Sequence, residues 1–127
     1  MRLLLDTHVL LWWLEGGLRL SGRARALIGG PRNSAFVSAA STWEISIKAA
    51  LGKLDLEDEN FPESLETEDR FAPLPISLAH GAAAGRLPRH HDDPFDRMLI
   101  AQARMEDLTL ITHDKAFDSY DVRIVWT

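Results

Sequence analysis

The chain has 127 residues, 46% hydrophobic and 26% charged, with no cysteine, which suits one domain with a buried core and excludes disulfides and thiolate metal ligands. A net charge of −5 argues against a simple nucleic-acid binder. The excess acidity is local, since residues 1–54 carry seven basic against three acidic residues while residues 55–70 carry one against eight, so a basic patch elsewhere remains available. In chain order, Arg2–Leu5 is a short apolar run that fits a buried strand, and Val9–Leu14 continues as a helix. Asp6 and His8 interrupt "MRLLLDTHVLLWWL" too early for a secretory leader. No apolar run reaches the length of a membrane span, so a cytoplasmic protein with no membrane partner is expected. "SGRARALIGG" offers a serine cap, a helical stretch and glycines to stop it.

"SAFVSA" predicts the second strand, and "STWEISIKAALGKL" a helix closed by Gly52. In the acidic stretch "DLEDENFPESLETEDRF", Asn60 as cap and Pro62 in the first turn predict a surface helix. "APLPI" is a weak strand candidate because its two prolines cannot donate to a ladder. "SLAHGAAAGRL" reads as a small-residue helix, "PRHHDD" as a loop and Asp93–Asp107 as the best helix of the chain. "LTLIT" is a strand, "DKAFDSY" a short turn or helix, and "VRIVW" a final strand. Strands alternating with helices predict an α/β fold, with a mostly parallel sheet covered on both faces.

Several carboxylates fit this pattern poorly. On a helical wheel, Phe95, Met98, Leu99, Ile100 and Ala103 form one apolar arc, with Arg97 and Arg104 marking the solvent side. Asp96 falls between Leu99 and Ile100 and so points inward at the first turn. A dipole-favoured first-turn acid is the competing reading. Asp93 precedes Pro94 and is positioned to act as N-cap, a reading preferred over chemistry for this residue. Ser41-Thr42-Trp43-Glu44 matches a capping box, which would put Glu44 in a first turn. Yet Glu44 shares a face with Ile47 and Leu51, beside an apolar stripe of Trp43, Ile47, Ala50 and Leu51, and Lys48 can pair with it. Asp6 closes the first strand and Asp114 follows "LTLIT"; singly, each reads as a turn or cap residue.

Their joint position says more. In an open parallel sheet the strand C-termini and the following helix N-termini share one rim, where ligands bind. Asp6, Glu44, Asp96 and Asp114 all project from that rim. Four acids without basic partners repel one another, so a cation must join them. All-oxygen ligation suits Mg²⁺ or Mn²⁺ rather than zinc. Such a centre can activate water and stabilise the leaving oxygen of a phosphodiester, which points to metal-dependent hydrolysis.

"LLLDTHVLLWWL", "SAASTWEISIKAALGKL", "HHDDPFDRMLIAQA" and "LTLITHDKAF" together resemble the four signature blocks of PIN-domain ribonucleases, specifically VapC-type toxins of bacterial toxin–antitoxin pairs. The resemblance covers essentially the whole chain, as a single nuclease domain over residues 1–127. It implies a three-layer α/β/α sandwich and a Mg²⁺ or Mn²⁺ site formed by Asp6, Glu44, Asp96 and Asp114, with Asp93 assisting. It further implies cleavage of RNA, inhibition by a cognate VapB-type antitoxin, and a homodimer. Thr7 and Thr112 are placed to orient ligands or water, although ordinary strand-end hydroxyls are the simpler reading.

His8 and His113 flank acids, and His90 and His91 lie in the loop, so all four are candidates to touch phosphate. Surface or packing histidines are the commoner case, and no H-x-x-x-H spacing suggests zinc. Trp12, Trp13 and Trp43 fit core or dimer surface better than base-stacking platforms, and "VLLWWL" carries more apolar surface than a short helix needs. Arg86, Arg89 and Arg97 are candidate phosphate contacts against a default of solvated arginines. Two rival readings remain: a phospho-acceptor receiver domain, which would want adjacent acids after its first strand, and a PIN-like fold used only for binding.

Overall fold

The computed structural model describes residues 1–67 and 70–127. Its described elements are β1 (Arg2–Leu5), α1 (Thr7–Leu14), α2 (Gly22–Gly29), β2 (Ser34–Ser38), α3 (Ala39–Ala50), α4 (Glu63–Thr67), β3 (Phe71–Leu74), α5 (Leu78–Arg86), α6 (Pro94–Met105), β4 (Thr109–Thr112), a 3₁₀ helix (Lys115–Ser119) and β5 (Ile124–Trp126). The five strands form one sheet in the order β3-β2-β1-β4-β5, and every pairing is parallel. Alternation along the strands divides the core between two faces. Leu3, Leu5, Ala35 and Val37 pack with Val9, Leu10 and Ile28 of α1 and α2. Leu4 and Leu110 pack with Ala84 of α5 and with Leu99, Ile100 and Ala103 of α6. Both faces of the central strand are therefore covered, which is why β1 reads as an unbroken leucine run. The result is the expected three-layer α/β/α arrangement.

The proline-bearing strand is an edge. β3 pairs only with β2, with Pro73 opposite Val37, and an edge position tolerates a missing donor. α3 belongs to both cores: Ala40 packs with the α6 side and Ile45 with the α1 side. This bridging helix carries Glu44.

Four local expectations change. α3 begins at Ala39 with Ser38 as its cap, Ser38 Oγ accepting from the Ala40 amide at 3.0 Å. β2 therefore runs straight into the helix, the capping box at Ser41 is not formed, and Glu44 falls in the second turn. The helix of the acidic stretch starts at Glu63 rather than after an Asn60 cap. Asp58 Oδ1 takes the Asn60 amide at 2.9 Å and sets the turn there. Glu68 and Asp69 of that stretch lie outside the described residues. In "VLLWWL", Val9 and Leu10 are buried and Leu11, Trp12 and Trp13 pack against the core, so this run is not a spare apolar face. Only Leu14, at the end of the run, is exposed, whereas Trp43 on α3 is 61% and Leu51 at its C-cap 64% accessible. The expected α3 stripe thus faces outward. Finally, Arg97 is not on the solvent side, as described below. Among the described residues, no helix is long and apolar enough to cross a membrane.

Candidate metal centre

β1 and β4 are neighbours in the sheet, and the chain order reverses between them. At such a switch point the loops diverge and leave a crevice at the strand C-termini. Asp6 follows β1 directly, and its amide donates to Ile111 O of β4 at 3.0 Å. It occupies the N-cap position of α1, yet its side chain makes no capping bond. Asp6 Oδ2 instead accepts from the Thr112 hydroxyl at 2.7 Å. The carboxylate is buried, and that burial raises its pKa against the lowering effect of Thr112 and, more weakly, of His8 and His113. The neighbouring Thr7 amide also acts to lower it, yet burial prevails.

Asp114 follows β4. Its amide donates to Thr112 Oγ1 at 3.0 Å, and its Oδ1 accepts from Ala116 N at 2.9 Å, capping the 3₁₀ helix. The simple cap reading of Asp114 is therefore satisfied, and its charge also acts on His91. Asp93 caps α6, with Oδ1 accepting from Phe95 N at 2.8 Å and Asp96 N at 3.1 Å. Asp96, one turn in, is largely buried and turned away from the capping amides. Its Oδ2 lies 2.7 Å from His91 Nε2. Burial pushes Asp96 up to about 7; the His91 hydrogen bond opposes this, and the charges of Asp6 and Asp93 add to it. His91 is raised chiefly by its bond to Asp96. One ligand atom from each of His91, Asp93 and Asp96 lies within 4.8 Å of the others.

Glu44 approaches from α3. The Thr7 hydroxyl, next to Asp6, donates to Ser41 Oγ at 3.0 Å and pins the start of α3 to that of α1. Ser41 and Glu44 are both buried and one turn apart, and helical side chains lean toward the N-terminus, so Glu44 lies over Ser41. Its Oε2 pairs with Lys48 Nζ at 3.0 Å. Its Oε1 is buried without a hydrogen-bond partner among the described residues. An orphaned carboxylate oxygen is costly unless a cation meets it. Together with the raised Asp6 and Asp96, this donor set of carboxylates and one imidazole fits a hard divalent ion. Asp6, Glu44, Asp96 and Asp114, with Asp93 and His91 beside Asp96, are the residues that could hold it.

His91 is the site member that sequence reasoning left with the bland histidines. It lies five positions before Asp96, across a proline and a helix start, and no periodicity relates loop to helix. Arg97 shows the opposite error. Its guanidinium donates to Ala84 O and Leu87 O at 2.9 Å each, to Pro88 O at 3.0 Å and to His91 O at 3.2 Å. It binds the carbonyls at the end of α5 and of the following loop, so it is committed to structure rather than to phosphate. Tyr120 joins the same clamp: its hydroxyl donates to Pro88 O at 2.8 Å and accepts from His91 N at 3.0 Å. The loop that delivers His91 and Asp93 is thus fixed. His80 is structural: it is buried in the α5 capping box, with Nε2 2.9 Å from Glu106 Oε1.

A parallel sheet of order β3-β2-β1-β4-β5, with acids gathered beside its switch point, defines an α/β protein with a candidate cation site at the strand C-termini. That order differs from the 2-1-3-4-5 order of receiver domains. The PIN domain family model matches residues 3–123. The chain belongs to the PIN domain family. It is similar to Ribonuclease VapC16 of Mycobacterium tuberculosis (strain ATCC 25618 / H37Rv), 37% identical over 62 residues, 49% of this chain. The chain spans 44% of that curated relative's length in this match. Its fold is similar to that of VapBC2 from Rickettsia felis bound to a promoter DNA fragment, with TM-score 0.74, 15% identity, and 99% and 98% of the two chains covered. It is likewise similar to DNA-bound VapBC from Salmonella typhimurium, with TM-score 0.71, 17% identity and the same coverage.

Proposed function

We propose that this protein is a Mg²⁺- or Mn²⁺-dependent endoribonuclease, a single nuclease domain that acts in the cytoplasm as the toxin of a toxin–antitoxin pair. The observations that carry this reading are the His91–Asp93–Asp96 group, the buried Asp6 at the end of β1 and the buried Glu44 Oε1 with no hydrogen-bond partner among the described residues. Membership of the PIN domain family and the name of the VapC16 relative support the nuclease class. Solved VapBC complexes with this fold support a VapB-type antitoxin as partner. Asp6, Glu44, Asp96 and Asp114 are the proposed ligands and catalytic acids, with Asp93 holding the start of α6 beside them.

A bound divalent ion would supply an activated water and stabilise the leaving oxygen of the phosphodiester. Thr112 would orient Asp6, and the Arg97–Tyr120 clamp would keep the His91 loop in place. An antitoxin arginine reaching the acids would replace the ion's charge and block the site. The test is cleavage of RNA by the purified protein. Activity should vanish in EDTA, return with Mg²⁺ or Mn²⁺, and be lost in Asp6→Asn. Unchanged cleavage after chelation would overturn the metal mechanism. Mn²⁺ binding without cleavage of any RNA would favour a binding-only PIN-like protein.

A further inference from the structure

Beside the acids lies an aromatic cluster that the metal chemistry does not use. The Trp12 and His113 rings are 4.5 Å apart at 48°, His8 meets His113 edge-on at 5.5 Å, and His8 and Trp12 are 6.3 Å apart. His8 and Trp12 share a face of α1 at i and i+4, and His113 comes from the residue after β4. His8 and His113 are exposed, while Trp12 is half-buried and packed against the core. The tryptophan thus anchors two open rings. Both histidines lie next to the proposed ligands: His8 is two residues past Asp6, and His113 immediately precedes Asp114.

We propose that an unpaired RNA base neighbouring the scissile phosphate stacks on the His8–Trp12–His113 cluster. This rests on the nuclease reading and deepens it by assigning a substrate subsite. A phosphate drawn to a cation held by the acids at the ends of β1 and β4 would bring an adjacent nucleotide close to these rings, because His8 and His113 flank those acids in sequence. The cluster is built of rings alone, which suits the π-face common to every base. Single-stranded RNA is recognised largely by such stacking on aromatic side chains, histidine included. Trp12, an expected core or dimer residue, is half core and half platform. The subsite would select for an unstacked nucleotide rather than for a particular base.

The test uses the full chain with Mn²⁺ and a set of unstructured oligoribonucleotides, each carrying one abasic nucleotide at successive positions around the cleavage point. Wild type should lose about tenfold in kcat/KM at one flanking position. Trp12→Leu and His113→Leu should lose a similar factor on intact RNA, mainly through KM, and show no further loss at that abasic position. Trp12→Phe should retain most of the wild-type value. The abasic penalty is a ratio within one protein, so a partly unfolded variant still reports it. A penalty that persists undiminished in both leucine variants would overturn the proposal. So would variants that cut RNA normally but no longer bind antitoxin, since the rings would then serve protein docking. Wild-type protein that cleaves none of the RNAs would instead show the nuclease reading itself to be wrong, and the subsite with it.

Discussion

Thr112 binds Asp6: its hydroxyl donates to Asp6 Oδ2 at 2.7 Å, while the same oxygen accepts the Asp114 amide at 3.0 Å. One buried side chain on β4 thus fixes both strand-end acids. Thr112→Val keeps the shape but leaves a buried carboxylate and a backbone amide each short of a partner. Stability should fall by about 1–3 kcal/mol, and Asp6, already raised by burial, should rise further. Thr112→Ser should restore most of both. Urea unfolding in EDTA with metal-dependent cleavage measures the two effects. Thr112→Val behaving as wild type in both would remove Thr112 from the site.

Asp93 and Asp96 should separate cleanly. Asp93→Asn keeps a good capping side chain and should change stability little, with a moderate loss of activity. Asp96 behaves differently with pH. Its folded pKa is about 7 against an ordinary value of 3.8, so between these values the folded chain holds a proton that the unfolded chain releases. Stability of metal-free protein therefore falls as pH rises through that window. His91 is also raised, and its contribution is present below its usual value and lost as pH rises through the raised one. Both effects have the same sign. In EDTA, Asp96→Asn should match wild type near pH 5 and melt higher at pH 8, by roughly 4 °C or more, and in Mn²⁺ it should cleave nothing. A variant that melts well below wild type at pH 8 and still cuts RNA would make Asp96 structural.

Arg97 should matter to folding before chemistry. Replacing it with methionine leaves the Ala84, Leu87, Pro88 and His91 carbonyls without their shared donor, at a cost of about 2–4 kcal/mol. Arg97→Lys should recover little, because an ammonium cannot spread donors as a planar fork does. Hydrogen exchange should show the 87–93 loop opening first. Full retention of stability in Arg97→Met would refute the clamp.

Self-association should use α3 rather than α1. Trp43 and Leu51 are exposed, and Trp43 meets Phe95 edge-to-face at 5.2 Å, so a stable apolar patch is presented. Light scattering at micromolar concentration should give twice the chain mass. The double variant Trp43→Ser, Leu51→Ser should give one chain mass with little loss of melting temperature. A wild-type monomer throughout that range would dismiss the homodimer.

Much of this was legible in one dimension. Apolar runs bounded by turn residues gave the strands. Alternation with helices gave the parallel sheet, because strand and helix periods fix direction locally, and the rim rule led to the proposal of Asp6, Glu44, Asp96 and Asp114 along one edge, although Glu44 stands in the second turn of α3 rather than its first. The Asp93 cap and the inward turn of Asp96 follow from the same short-range geometry. The tertiary structure decided what depends on contacts between distant segments. Ser38 displaced Ser41 as the α3 cap because Gln102 of α6 holds its hydroxyl at 2.5 Å, 64 residues away. The α3 stripe faces outward because that helix packs on α1 and α6 through Ala40 and Ile45, with Ser41 and Glu44 on the same buried face. Arg97 turned inward because the end of α5 offers carbonyls there, and His91 reached Asp96 because Tyr120 and Arg97 fold its loop back. Local periods set which residues share a face; which way that face turns, and which partner waits there, depends on how the layers pack.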